Sequence, residues 1–192
     1  MNLRNIRYAR FHAGLGRHIL GLLYRPGKPC RVCFGPLRGL RLQYDRSINF
    51  HAILGLWETE VFDVLHRVFV RSSLLAKDCT VADVGSNIGY YSMWFSKVAA
   101  TAGHVYAFEP NPEVARFLRR NMELNGVDNV ELVDSACGDH VGTTEFFLAS
   151  HHHCSSLHAD WAGVKEGEAR TITVPMTTLD AFFCSIRANS PG

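Results

Sequence analysis

The sequence lacks a long apolar run. Its longest apolar stretch ahead of residue 46 covers 18–24, far short of the ~20 residues that cross a bilayer as a helix. No transmembrane segment is expected. No apolar core with a small-residue cleavage site follows the recurring early arginines, which argues against a secretory signal. The same Arg-rich, acid-poor start leaves a transit peptide open. Cysteine is scarce too: six scattered residues in a chain of 192, which excludes a disulfide scaffold and fits a reduced, cytoplasmic setting. Cys30 and Cys33 form a single C-x-x-C pair with no second pair near it, so neither a metal nor redox work is assigned to it. No internal repeat is present. The one biased tract is His151-His152-His153.

Acid is nearly missing from the first quarter. Residues 1–46 hold ten Lys/Arg and one acid, Asp45, while the remainder holds ten basic and seventeen acidic residues. Such asymmetry can mark an anionic partner, membrane or nucleic acid. The arginines are spread along the segment rather than clustered. The plainer expectation is therefore a solvated helix and a basic strand against an acidic domain, with no nucleic-acid partner.

What is present has a clear grammar. Residues 2–24 place Leu3, Ile6, Phe11, Leu15, Ile19 and Leu22 near helical spacing, which predicts a basic amphipathic helix. Residues 31–44 alternate around Gly35-Pro36 and Gly39 as a short hairpin does. Residues 58–70 predict a helix with Val61, Phe62, Leu65, Val68 and Phe69 on one face. From residue 79 the pattern becomes strand (79–84), glycine turn (85–89), helix (90–100), strand (104–108), helix (112–124) and strand (130–133). That alternation predicts right-handed crossovers and an α/β fold with a mostly parallel sheet and helices on both faces. Further strands are expected at 141–148 and 171–174, and a helix at 178–186. The organisation expected is a basic helical extension over 1–34 and one α/β domain over 35–192.

The chemistry concentrates at Asp83-Val84-Gly85-Ser86-Asn87-Ile88-Gly89. Glycines there let the chain turn sharply from strand to helix and let a ligand approach the backbone. Three residues separate Gly85 from Gly89. This is not the G-x-G-x-x-G spacing that lays a pyrophosphate on a helix N-terminus. Asp83 at the strand end would repel a pyrophosphate and attract a cation. Glu109 lies 24 residues after Gly85, directly after the next strand, where an acid can accept hydrogen bonds from both ribose hydroxyls. Pro110 and Pro112 stiffen the turn around it, and Pro110 is counted with the site. Asp at one strand end and Glu at the next fit a cationic nucleoside.

Those segments also carry a resemblance. VADVGSNIGYYS (81–92), FEPNP (108–112), NMELN (121–125), ACGDHVG (136–142), Ser155-Ser156-Leu157 and Thr178-Leu179-Asp180 resemble FkbM-type methyltransferases. Gly55-Leu56-Trp57-Glu58 looks like the segment preceding that family's domain. The resemblance covers about residues 35–182. It implies a class I, Rossmann-like methyltransferase fold, S-adenosyl-L-methionine as donor, and O-methylation of a hydroxyl on a small molecule or sugar. Carried across, it implies Asp83 and Gly85 by the methionine end and Glu109 on the ribose. Ser86 and Asn87 would face the cofactor, and Gly89 would open the helix. Of Asp134, Ser135 and Ala136, the last two are taken to border adenine.

After its TLD segment that family continues into a strand resembling KIDVEG, which pairs with the first strand. Here the chain ends at Gly192. The expectation is therefore a domain lacking its C-terminal strands, with an open sheet edge able to self-associate, and with the catalytic base unassigned. A non-catalytic cofactor-binding fragment or pseudoenzyme is the alternative. A nicotinamide-dependent oxidoreductase is disfavoured by the missing G-x-G-x-x-G and by Asp83. His151, His152, His153 and Cys154 with His158 and Asp160 gather ligand types. Adjacent side chains on a strand alternate, however, so the tract reads as a polar loop and no metal is expected.

Overall fold

The computed structural model describes residues 25–45, 50–71, 79–99, 103–149, 155–160 and 170–189. The predicted helix over 2–24 and the His151–Cys154 tract lie outside them. The chain divides into two compact units, Met1–Leu75 with Glu123–Gly126, and Ala76–Met122 with Val127–Gly192.

In the first unit, β1 (Pro29–Arg31) and β2 (Arg41–Gln43) pair antiparallel. The hairpin is real, but its loop is longer than its strands. That loop is held because Cys33 and Phe34 donate their backbone N–H groups to the carbonyls of Ile53 and Leu54, at the end of α1 (Phe50–Leu54). Cys30 and Leu42 point inward and are buried, while Arg31 and Arg41 point outward, as the period of two requires. The predicted helix over 58–70 runs as α2 (Thr59–Leu65) and then widens into a π turn, His66–Arg71. Of its expected apolar face only Phe62 is buried; Val61 and Val68 are each 43% exposed. The wider turn rotates the later residues away from the face that a regular 3.6-residue helix would present.

The second unit holds the parallel sheet. Strands β3 (Thr80–Val84), β4 (His104–Phe108) and β5 (Val130–Val133) lie in that order, all parallel. They are joined through α3 (Tyr90–Val98) and α4 (Pro112–Asn125). Both crossovers step the same way across the sheet, so right-handedness puts both helices on one face. The other face is covered by α5 (Leu179–Asn189): the ring of Phe182 sits 5.1 Å from Tyr106 and 4.9 Å from Phe108. Val105 and Ala107 turn to the opposite face and are fully buried.

A second sheet follows from β6 (Ala136–Cys137), β7 (Gly142–Leu148) and β8 (Arg170–Thr177). Its order is β6-β8-β7, with β7 antiparallel to β8. Ala136, Phe146, Val174 and Met176 form its core. Among the described residues β3 is the end strand of its sheet, and no helix is long and apolar enough to cross a membrane.

Candidate functional site

Register brings the chemistry together. Val84, Phe108 and Val133 are neighbours across the three parallel strands. The segments that leave those strands therefore emerge side by side at the carboxyl end of the sheet, where open α/β sheets take ligands. Hydrogen bonds tie each segment to the next strand. The N–H groups of Gly85 and Ser86 reach the Phe108 carbonyl at 3.0 and 2.9 Å, and the Glu109 N–H reaches that of Val133 at 3.0 Å. The Ser86 hydroxyl adds a third donor to Phe108 at 3.2 Å. Residues distant in sequence thus share one rim.

The turn itself is left-handed at three points: φ is 78° at Gly85, 51° at Asn87 and 85° at Gly89. Asparagine is among the few side chains that tolerate this region. Its Oδ1 accepts the N–H of Ile88 at 2.9 Å. Asn121, wholly buried on α4, donates from Nδ2 to the Ile88 carbonyl at 2.9 Å. The turn is therefore braced from behind by a helix that begins after the next strand.

Glu109 is 5% exposed. Its two oxygens accept the backbone N–H groups of Asn87 at 2.9 Å and Asn111 at 2.8 Å. Burial pushes its carboxyl up to about 7, against the pull of those two donors, with the charge of Asp83 adding to the rise. A carboxylate offers about four acceptor sites, so lone pairs remain for a ligand. Asp83 accepts the Ser92 hydroxyl at 2.5 Å. Desolvation still raises its carboxyl above the ordinary range despite that donor.

The remaining expected residues lie on the segments that leave β4 and β5. Pro110 is half-buried beside Glu109. Ser135 is buried, with its N–H on the Val133 carbonyl at 2.8 Å and its hydroxyl on the Ala136 carbonyl at 2.9 Å. The Ala136 methyl packs into the core of the second sheet. Asp134 is exposed and pairs with Arg119. Ser92 and Asn121 were not singled out from the sequence. The signals for them were a serine on the helix following a strand-end acid, and an asparagine on the inner face of α4 where an apolar residue was due.

The fold and rim define an α/β domain that presents two acids and a glycine turn at the ends of parallel strands, without the spacing that grips a pyrophosphate. Residues 83–190 match the family model described as the methyltransferase FkbM domain. The chain belongs to that family, and its fold is the class I fold of S-adenosylmethionine-dependent methyltransferases.

Among curated proteins, a stretch of 77 residues is 39% identical to the tRNA wybutosine-synthesizing protein 2 homolog of Danio rerio, covering 35% of this chain and 19% of that one. A stretch of equal length is 34% identical to the protein-L-isoaspartate O-methyltransferase of Methanococcoides burtonii, covering 38% of each. The chain thus spans well under half the length of these relatives. Among solved structures it is similar to a SAM dependent methyltransferase from Aquifex aeolicus, at 29% identity and a TM-score of 0.33 over 36% of this chain and 37% of that one. It is also similar to P. horikoshii TYW2 in complex with MeSAdo, at 19% identity and a TM-score of 0.36 over 71% of this chain and 51% of that one.

Proposed function

We propose that this chain forms the donor site of an S-adenosylmethionine-dependent methyltransferase that methylates a hydroxyl on a small molecule or sugar. The domain is taken as residues 35–192, and its donor site as Asp83, Gly85, Ser86, Asn87, Gly89, Glu109, Pro110, Ser135 and Ala136. One observation carries the reading. The acid at the end of β4 holds the backbone of the glycine turn that leaves β3, so the ribose acid and the turn form one hydrogen-bonded unit.

The residues fit the group. A Cβ built at Gly85 would meet no atom beyond its chain neighbours within 4 Å, which leaves open space in front of the turn for a ligand against its backbone. The turn 85–89 lacks the G-x-G-x-x-G spacing that lays a pyrophosphate on a helix N-terminus. Two carboxyls at adjoining strand ends suit a cationic nucleoside. When bound, S-adenosylmethionine supplies a methyl group on a positively charged sulfur. The chain's own work is to orient: Glu109 takes the ribose hydroxyls, Asp83 supplies negative charge near the methionine end, and the stretch from Ser135 to Ala136 borders the adenine. Holding donor and acceptor in line is worth about 7–11 kcal/mol in favourable cases. No residue is assigned as the base.

Two subsidiary parts of the proposal follow. A reduced, cytoplasmic location is supported by the free thiols of Cys30, Cys33, Cys79, Cys137 and Cys184. Self-association through β3 is supported by its position at the end of its sheet, with Val84 51% exposed.

Calorimetry with S-adenosylhomocysteine tests the donor site. Glu109→Ala removes hydrogen bonds to a carboxylate worth about 1.5–3 kcal/mol each, so affinity falls at least tenfold. Unchanged affinity in a folded variant overturns the ribose assignment, and tighter binding of NAD than of the nucleoside overturns the class of cofactor.

A further inference from the structure

We propose that the β1–β2 hairpin is a docking surface for an anionic lipid bilayer. Arg31 and Arg41 stand directly opposite each other in the antiparallel register, both exposed on the outward face. Like charges so placed cost stability, a cost that an anionic surface over that face would offset. Arg25, Lys28 and Arg38 are exposed on the same segment, whose one acid is Asp45. Among the described residues none of these five cations forms an ion pair with a carboxylate, whereas Arg119 of the second unit finds Asp134.

Apolar groups accompany the charge. Phe34 is 59% exposed and Leu56 50% exposed. The Phe34 N–H bonds to the Leu54 carbonyl at 3.0 Å, two residues before Leu56. Cations together with an aromatic and an aliphatic side chain left in water are what a lipid interface accommodates: headgroups take the charge, and the acyl boundary takes the apolar pair. A single-stranded nucleic acid would stack successive bases on planar rings, and of these two exposed apolar side chains only Phe34 has one. The charge also continues in sequence: the preceding 24 residues add Arg4, Arg7, Arg10 and Arg17 and no acid.

The test is co-sedimentation of the full chain with vesicles of phosphatidylcholine alone and of phosphatidylcholine with phosphatidylserine. The protein is expected on the mixed vesicles and not on the neutral ones. Each cation removed should weaken binding about fivefold, so Arg31→Gln with Arg41→Gln weakens it roughly thirtyfold. Phe34→Ser with Leu56→Ser weakens it as well, at unchanged salt dependence. Arg38→Gln lies in the loop, outside the strand pairing, and serves as the reading should the paired variant not fold. Three results overturn the proposal: equal binding to neutral and anionic vesicles, undiminished binding by the Arg38→Gln and Phe34→Ser/Leu56→Ser proteins, or preference for a single-stranded oligonucleotide over the mixed vesicles at the same salt.

Discussion

Gly85 and Gly89 stand at the two ends of one turn with nearly the same backbone, φ 78° and 85°, in opposite surroundings. A Cβ on Gly85 would meet nothing within 4 Å, whereas one on Gly89 would lie 2.2 Å from Cδ1 of Leu118. The two positions share a conformational reason for glycine and differ in everything else. At Gly89 the reason is internal, because α3 starts against α4. At Gly85 no packed neighbour requires glycine, so the left-handed backbone alone accounts for it, and the space in front is open to the proposed cofactor. The turn has a packed end that holds its shape and an end that is open to solvent.

The sharpest break falls at the packed end. Gly89→Ala must strain a left-handed residue and push a fully buried leucine out of its rotamer, which together cost about 3 kcal/mol. Urea denaturation should show this as a lowered midpoint with an unchanged slope. Adding Leu118→Ala removes the clash but not the backbone strain, so the two changes should be less than additive. Full additivity would mean that α3 and α4 do not meet through Gly89.

The next effect belongs to the acid that ties the turn to β4. Glu109 is raised from its ordinary 4.5 to about 7, so the folded state holds a proton that the unfolded chain has released. Its contribution is fully present below 4.5 and is lost as pH rises through about 7. The loss amounts to ~3 kcal/mol if the whole shift is expressed. Asp83 is shifted the same way. Wild type should therefore lose stability across that window relative to Glu109→Gln, and a flat difference between the two would refute the buried-acid picture. Nucleoside affinity should move the other way, because a carboxylate accepts ribose hydroxyls better than a carboxylic acid does.

A third, smaller effect lies behind the turn. Ser92→Ala removes a 2.5 Å donor to Asp83, and a hydrogen bond to a charged group is worth about 1.5–3 kcal/mol. Ser92→Thr keeps the hydroxyl and should restore most of the loss. If the alanine and threonine proteins unfold alike, the hydroxyl is not what matters there.

The open end was easier to read from sequence than the packed one. The strands His104–Phe108 and Val130–Val133 appear where apolar runs between turn signals put them, and Glu109 sits where a strand ends, because such features are local. Asn121 on the Ile88 carbonyl joins residues whose proximity exists only once α4 is laid on the sheet. Nothing near either residue announces it. The π turn at His66–Arg71 was missed for a related reason: the apolar spacing fits a regular helix, and widening the turn is a choice made by packing. The division of the second unit into two sheets was also not legible, since 141–148 and 171–174 read as strands without naming their partners; β8 pairs with both β6 and β7.

The smallest effect on folding should come with the largest effect on binding, and it lies at Gly85. Asparagine tolerates the left-handed region better than other side chains, and at this position its Cβ would meet no atom beyond the neighbouring residues within 4 Å. Gly85→Asn should therefore cost no more than about 1 kcal/mol of stability. The same side chain would stand where a nucleoside must approach the backbone, so S-adenosylhomocysteine binding should be lost in a protein that unfolds almost as wild type does. The contrast with Gly89→Ala is the test. One variant should be weakly folded yet bind when folded, the other well folded and unable to bind. Wild-type affinity in Gly85→Asn would mean that the space in front of the turn is not where the cofactor lies, and the donor site would have to be sought elsewhere along the carboxyl ends of β4 and β5.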